Sequence, residues 1–89
     1  VNFPPMDLPS LHPASVRIAN IHRNVPGVLG EINSIISELG GNILAQGLAT
    51  DREIGYMVAD IEGASGKALA TQIGQLATSI KTHLLNKSN

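Results

Sequence analysis

Two polar side chains with binding chemistry, His22 and Asn24, stand two residues apart, immediately before a Pro-Gly pair. The imidazole of His22 titrates near neutral pH, and the amide of Asn24 can donate and accept hydrogen bonds at once. Neither stands beside a nucleophile at a recognised catalytic spacing. The pair therefore indicates a binding site and no catalytic residues, although a histidine at a strand end is commonly just a hydrogen-bonded surface group.

The Pro-Gly pair predicts the start of a helix. Pro26 has a φ angle already fixed near the helical value, whereas the preceding Val25 is disfavoured in the helical region. We therefore predict that the helix begins at Pro26, with Val25 at its N-cap. Because Val25 has no side-chain oxygen, the N–H groups of Gly27, Val28 and Leu29 lack a local acceptor. Such a corner can bind a carboxylate at the positive end of the helix dipole, and a water-capped turn is about as consistent with the spacing.

A second amide, Asn42, follows the Gly40-Gly41 pair that is expected to end this helix. It begins a predicted strand whose edge can lie near the loop that holds Asn24, in the same molecule or in a partner. Two amides and an imidazole suit a small zwitterion that carries an ammonium, a carboxylate and a hydroxyl. An apolar ligand would leave those amides unpaired at about 1–3 kcal/mol each. The alternative for Asn42 is a simple turn residue after the helix.

Other chemistries find little support in the residues. The chain has no cysteine, which excludes disulfides, thiolate metal sites and cysteine nucleophiles. His22 has no second strong metal ligand near it in sequence, since His12 and His83 lie far away, so we predict no metal site. Asp60 and Glu62 share one face of a predicted strand, and a solvated sheet face explains them better than paired acid–base catalysts do.

Composition narrows the function classes further. The 89 residues carry a net charge of −1, with six Lys and Arg in total, one Phe, one Tyr and no Trp. Nucleic-acid binding needs a basic surface and usually stacking aromatics, so we predict none. No apolar run approaches the roughly 20 residues of a membrane span and no signal peptide opens the chain, which makes a cytoplasmic location the default expectation.

The elements that must position these residues follow from periodicity. Four prolines in residues 1–15 indicate a lead-in from a preceding domain, and residues 16–89 form one folded domain with an aliphatic core. The first strand places Val16, Ile18, Asn20 and His22 on one face. Further on we predict strands over residues 42–50, 56–62 and 80–85, a hairpin turn at 51–53, and a second helix over 67–77.

The order strand, helix, strand, strand, helix, strand is that of an α+β, ferredoxin-like βαββαβ fold, with a four-stranded antiparallel sheet and both helices on one face. The helix-facing side chains of the third strand should be Met57, Ala59 and Ile61.

At this level of detail the residues resemble a known family, the ACT domain. The resemblance rests on the run Ile21-His22-Arg23-Asn24-Val25-Pro26-Gly27-Val28-Leu29, on Gly41-Asn42-Ile43 and on Ile54-Gly55-Tyr56-Met57-Val58. More narrowly, the chain is similar to the C-terminal, serine-binding regulatory domains of bacterial D-3-phosphoglycerate dehydrogenases. Val1-Asn2-Phe3-Pro4 and Leu8-Pro9 resemble the segment that leads out of the nucleotide-binding domain in those enzymes.

The resemblance implies a function that cannot be inferred from composition alone. Two such domains would form a homodimer through the edge strand 16–22, and L-serine would bind at the junction. His22, Asn24 and the backbone of residues 25–29 would contact the ligand from one chain, and Asn42 from the other. Binding would give feedback inhibition of an NAD-dependent dehydrogenase, with NAD held by the parent enzyme and no cofactor in this chain.

Two departures from the family pattern affect this expectation. Arg23 stands where an acidic residue is common, and residues 12–15 stand where some relatives have a flexible glycine pair. A ligand-free dimerisation module, or an ACT domain for another amino acid such as glycine or an aromatic one, remains the alternative.

Overall fold

The fold is described by a computed structural model over residues 14–85. Its elements are, in order, β1 Ser15–Arg23, α1 Val28–Glu38, β2 Asn42–Thr50, β3 Ile54–Glu62, α2 Gly66–Gly74 and β4 Ser79–Leu84. This order confirms the predicted βαββαβ pattern. The predicted lead-in over residues 1–15 lies almost wholly outside the described residues, and Ser15 is already the first residue of β1.

The four strands form one antiparallel sheet in the order β2-β3-β1-β4. β1 pairs with β3 along its whole length, from Ser15 opposite Glu62 to Arg23 opposite Ile54, and its second half also pairs with β4. The prediction that strand 16–22 lies at the sheet edge, available for dimerisation, is therefore wrong. β1 carries the ladder bonds of two neighbours, and the edges belong to β2 and β4.

Both helices cover one face of this sheet around an aliphatic core. Met57, Ala59 and Ile61 of β3 lie in that core, as predicted from their alternation. The remaining members of the buried cluster are Ile18 of β1, Val28, Ile32 and Ile36 of α1, and Leu69 and Ile73 of α2. Burying an isoleucine or leucine side chain contributes about 1.5–3 kcal/mol, so this cluster is the main source of stability for a chain with so few aromatics.

Helix α1 begins two residues later than predicted. Gly27, with φ +89°, occupies the N-cap in place of Val25, and the first helical hydrogen bond runs from the Glu31 N–H to the Gly27 carbonyl. Glycine enters this left-handed region at little cost, so the chain turns at Gly27 and leaves Pro26 outside the helix. The other end is as predicted: Gly40, with φ +83°, and Gly41 donate their N–H groups to the carbonyls of the last turn.

The second half of the chain differs from prediction at five boundaries, of which the start of α2 at Gly66 and the end of β4 at Leu84 each come one residue early. β3 begins at Ile54, two residues early, because the Asp51 carboxylate accepts the N–H groups of Glu53 and Ile54 and makes the hairpin turn tight. Helix α2 ends at Gly74, three residues early, and β4 begins at Ser79, one residue early. The Ser79 hydroxyl donates to the Ile73 carbonyl at 2.6 Å, which gives the end of α2 a partner outside the helix.

The interpretation of Asp60 as part of a solvated face is wrong. Asp60 is only 3% exposed, and Arg17 of the neighbouring strand donates to both of its carboxylate oxygens, at 2.5 and 2.8 Å. The hydrogen bond to Asp60 raises the pKa of Arg17. A paired, buried carboxylate of this kind holds two neighbouring strands together.

Candidate functional site

His22 lies on the helix-facing side of β1, close to the end of the strand, and is only 4% exposed. It stands opposite Gly55 of β3, and its ring occupies the space above that glycine so closely that a Cβ at position 55 would clash with Nε2. Gly55 therefore makes room for the ring. Burial lowers the pKa of His22 from its ordinary value of 6.5, so the ring is neutral at pH 7.

The other ring nitrogen of His22 joins a buried polar chain. Nδ1 lies 3.0 Å from Oδ1 of Asn20, a side chain with no exposed surface. The amide nitrogen of Asn20, which has two hydrogens to donate, lies within reach of three acceptors on β4: the Thr82 hydroxyl at 2.8 Å, the Ser79 hydroxyl at 3.1 Å and the Lys81 carbonyl at 3.4 Å. These bonds hold the imidazole in one orientation relative to β4.

Asn24 joins the loop after β1 to the β2–β3 turn. Its backbone N–H donates to the Glu53 carbonyl and its side-chain nitrogen to the Asp51 carbonyl, each at 2.8 Å. Its side-chain oxygen makes no hydrogen bond to any described residue, and the side chain is exposed. Asn24 therefore presents an immobilised acceptor to solvent, with its donor already engaged.

The N-terminus of α1 lies next in the chain. Gly27 at the N-cap offers no side-chain acceptor, and within residues 14–85 the N–H groups of Val28, Leu29 and Gly30 have no hydrogen-bond partner. The side chain of Val28 is buried in the core, and that of Leu29 is partly buried against it. A Cβ built on Gly27 would meet nothing within 4 Å, which leaves room for a ligand against the backbone. We call the region formed by residues 22–29 the 22–29 corner.

Asn42 lies far from the 22–29 corner of its own chain. It stands opposite Glu62 at one end of the sheet, whereas His22 stands opposite Gly55 at the other end. The two positions on β3 are seven residue steps apart, about 23 Å at about 3.3 Å per step. Asn42 donates to the Glu62 carboxylate at 3.2 Å. The possibility that Asn42 and Asn24 of one molecule contact the same ligand is therefore wrong.

A concavity of about 490 Å³ opens beside Asn24. Its lining residues are Arg23, Asn24, Val25, Glu53, Ile54 and Ile80. It shares Asn24 and Val25 with the 22–29 corner, but neither His22 nor the N–H groups of α1 line it. We consider the corner the better candidate site, because its polar groups are held by buried or backbone hydrogen bonds, whereas the charged walls of the concavity are exposed side chains.

No group of three or more His, Asp or Glu side chains between residues 14 and 85 is placed to hold a metal ion. No helix in this range is long and apolar enough to span a membrane.

Sequence reasoning assigned no role to Asn20, Gly55 and Ser79, which build the surroundings of His22. A signal was available for Asn20, because an amide two residues before a histidine on the same apolar strand face must find partners when buried. No comparable signal marks Gly55 or Ser79, since their importance depends on strand pairing that brings distant residues together.

A family model described as "AHAS small subunit-like ACT domain" matches residues 18–81. Among characterised relatives, the D-3-phosphoglycerate dehydrogenase of Dictyostelium discoideum is 47% identical over 96% of this chain and 20% of its own length. That of Haemophilus influenzae is 40% identical with the same coverage, and that of Escherichia coli is 52% identical over 70% of this chain and 15% of its own length. The chain thus spans a fifth or less of these relatives.

Solved structures agree on the fold. The ACT domain from GTP pyrophosphokinase of Chlorobium tepidum superimposes with a TM-score of 0.68 at 16% identity, covering 80% of this chain and 96% of that one. An ACT domain protein from Streptococcus pneumoniae gives 0.65 at 20% identity, covering 81% and 88%. At these identities the likeness concerns the fold alone.

We predict that Gly55→Ala will displace His22. The new Cβ would occupy the space of Nε2, so either the ring or the strand must move, at about 1–3 kcal/mol of stability. Denaturant unfolding and the ring resonances of His22 in NMR spectra check this. Gly30→Ala is the matched control, because its Cβ meets nothing within 4 Å in the interior of α1 and should stabilise the helix by about 0.5–1 kcal/mol. Unchanged His22 resonances in Gly55→Ala would contradict the packing described.

The lowered pKa of His22 predicts a pH dependence of stability. The unfolded chain takes up a proton near 6.5, and the folded chain only at lower pH, so the unfolded state binds more protons as the pH falls below about 6.5. The free energy of unfolding should fall in this window, and it should fall less in His22→Asn. Asp51, whose pKa is lowered by the N–H groups of Glu53 and Ile54, acts only below its ordinary 3.8. Parallel pH curves for the wild type and His22→Asn, measured by urea unfolding, would refute the prediction.

Proposed function

The chain belongs to the ACT domain family, and on that premise we propose that it is the regulatory domain of a D-3-phosphoglycerate dehydrogenase, binding L-serine for feedback inhibition. The observation that carries the proposal is the 22–29 corner, a run of the chain that holds His22, the Asn24 side-chain oxygen and three N–H groups of α1 that have no partner among the described residues. The dehydrogenase relatives support the choice of parent enzyme, which extends far beyond this chain.

The corner's groups complement an amino acid. The N–H groups at the start of α1 are donors at the positive end of a helix dipole and suit the carboxylate. The free oxygen of Asn24 is an acceptor and suits the ammonium. A small hydroxylated side chain fits this polar surface better than an aromatic one, because every buried amide left without a partner costs about 1–3 kcal/mol.

A second copy of the chain can bring Asn42 to this corner. β2 is an edge strand, and when two β2 strands pair antiparallel about a two-fold axis, the beginning of one lies against the end of the other. Asn42 begins β2, and Asp51, which holds the Asn24 side chain, directly follows its end at Thr50. Two-fold pairing through β2 therefore places Asn42 of the partner near Asn24. We accordingly propose a homodimer through β2.

The two edges differ in a way that favours β2. Soluble proteins commonly protect free edges with charged side chains, above all lysine. β2 has nine residues, none of them charged, and exposes Leu44 and Leu48. β4 has six residues, among them an exposed Lys81. The longer, uncharged edge is the one suited to pairing with another copy.

In this proposal serine strengthens the association of the two chains and does not enter the catalytic site of the parent enzyme. A ligand held between two chains must bind more tightly when the chains are paired, with coupling of about 1–3 kcal/mol. We propose that the resulting change in domain orientation passes to the parent's catalytic body through the preceding segment, residues 1–13, which lies outside the described residues. NAD would bind in the parent enzyme, outside residues 14–85.

Ligand binding is tested by calorimetric titration of serine, glycine, alanine and phenylalanine into the wild type and two variants. Asn24→Ala and Asn42→Ala should each bind serine roughly 5- to 150-fold more weakly, because each loses a hydrogen bond to a charged or polar ligand group. The shared site predicts complementation. In an equimolar mixture of the two variants, mixed dimers contain one site with both asparagines intact, so about one site in four should recover wild-type affinity.

Each departure from this result has a distinct meaning. No recovery in the mixture would contradict a site shared between chains. No serine binding by the wild type, with dimerisation intact, would favour the ligand-free dimerisation module. Tighter binding of another amino acid in the panel would change the ligand and keep the site.

The dimer interface is tested by introducing a glutamate at one exposed position on each edge strand of the sheet, in separate variants. Leu48→Glu on β2 should raise the dimer dissociation constant at least tenfold, because it puts a charge on the proposed interface. Ile80→Glu is the matched control: Ile80 is 54% exposed on β4, comparable with 48% for Leu48. Sedimentation equilibrium measures both. A dissociation constant that responds to Ile80→Glu and not to Leu48→Glu would move the interface to β4.

A further inference from the structure

We propose that Asn20 is a positioning residue that keeps the proton of the His22 ring on Nδ1 and so presents Nε2 to the ligand as a hydrogen-bond acceptor. The assignment of the proton stands on this chain's own geometry. The part about the ligand rests on the proposed function.

The Ser79 hydroxyl, just beyond the end of α2, determines how the Asn20 amide is oriented. This group lies 2.6 Å from the carbonyl oxygen of Ile73, which can only accept, so the single hydroxyl proton of Ser79 points to Ile73. The same oxygen lies 3.1 Å from the amide nitrogen of Asn20. With its proton committed, Ser79 can only accept from Asn20. The group of Asn20 that faces Ser79 must therefore be its NH₂.

A second contact supports this orientation of the Asn20 amide independently. The same side of the amide lies 3.4 Å from the Lys81 carbonyl, which is also an acceptor only. If the amide were flipped, its oxygen would face two groups that cannot donate to it, and only the Thr82 hydroxyl at 2.8 Å could. The oxygen of Asn20 therefore faces the other way, towards Nδ1 of His22 at 3.0 Å.

An oxygen that only accepts requires a donor opposite it, so Nδ1 of His22 carries the proton. Because burial keeps the ring neutral at pH 7, Nε2 then has a free lone pair. Nε2 has no hydrogen-bond partner among the described residues. His22 as a whole is 4% exposed, and the ring edge that carries Nε2 packs over Gly55.

This proton arrangement divides the 22–29 corner into two halves. Nε2 of His22 and Oδ1 of Asn24 are acceptors, whereas the N–H groups at the start of α1 are donors. A ligand carboxylate would be repelled by the lone pair of Nε2, and an ammonium or hydroxyl group would donate to it. We therefore place the donor groups of the amino acid on the side of His22 and its carboxylate at α1.

The proton position is measured without any ligand. Long-range proton–nitrogen NMR correlations of the ¹⁵N-labelled chain at about pH 8 distinguish a protonated from an unprotonated ring nitrogen. We expect Nδ1 of His22 to be protonated and Nε2 to show the resonance of a bare imidazole nitrogen, the reverse of the form that an isolated histidine side chain favours. A spectrum with the proton on Nε2 overturns the proposal.

A variant pair then tests Asn20 itself. Asn20→Leu keeps the shape of this fully buried side chain but offers Nδ1 no acceptor, so the form protonated on Nε2 should appear and serine binding should weaken about tenfold. Thr82→Val is the matched control. It removes one partner of the Asn20 amide, at 2.8 Å, and leaves the contact with His22, so ring signals and affinity should remain those of the wild type.

The outcomes separate this inference from the proposed function. If Thr82→Val moves the proton of the His22 ring to Nε2 as Asn20→Leu does, any disturbance of the packing around the ring has this effect. Asn20 then has no specific role. If Asn20→Leu fails to fold, the wild-type spectrum still decides the proton position. If wild-type serine binding is absent while Nδ1 carries the proton, the ligand proposal fails and the assignment of Asn20 and His22 stands.

Discussion

The hydrogen bonds that hold β1 between β3 and β4 determine where every group of the 22–29 corner can lie. Pairing with β3 sets His22 opposite Gly55, the residue whose missing side chain accommodates the ring. Pairing with β4 brings Ser79 and Thr82 to the amide of Asn20. Since ladder bonds fix register to one residue, a slip of either partner would turn these side chains to the opposite face of the sheet.

The central position of β1 also explains what the sequence could and could not predict. Alternation and helical stripes depend only on near neighbours, so the element order and the inward-facing Met57, Ala59 and Ile61 were predictable. Strand order depends on pairing between residues far apart in the sequence. Apolar residues on both faces of β1 are compatible with an edge strand that pairs with another molecule, and equally with a central strand that pairs within its own chain. The choice of edge was wrong for that reason.

Local turn chemistry caused the smaller errors. The preference of Pro26 for the first helical position was outweighed by the left-handed conformation of Gly27, which ends the turn one residue further on. At the site, the residue types of His22 and Asn24 could be read from spacing, but their partners could not. Asn24 faces Asp51, and His22 faces Asn20, whose own partners are 59 and 62 residues away. Only the folded sheet decides which donor of an asparagine is already used, and therefore which group it can offer to a ligand.

The placement of Asn42 connects these local facts to regulation. Within one chain Asn42 and the 22–29 corner lie at opposite ends of the sheet, so a ligand that needs both can be bound only when two chains are side by side. Such a ligand makes contacts with both chains at once. Thermodynamic linkage then requires that ligand binding strengthen the association of the chains by the same factor as association strengthens ligand binding. In the proposed dimer, this coupling between ligand binding and association depends on antiparallel pairing of the two β2 strands. Such pairing sets the beginning of one β2 against the end of the other. In the proposed dimer, with Asn42 at the beginning of the edge strand β2 and the 22–29 corner of the partner near the end of the partner's β2, the extent of dimerisation would therefore respond to the ligand concentration.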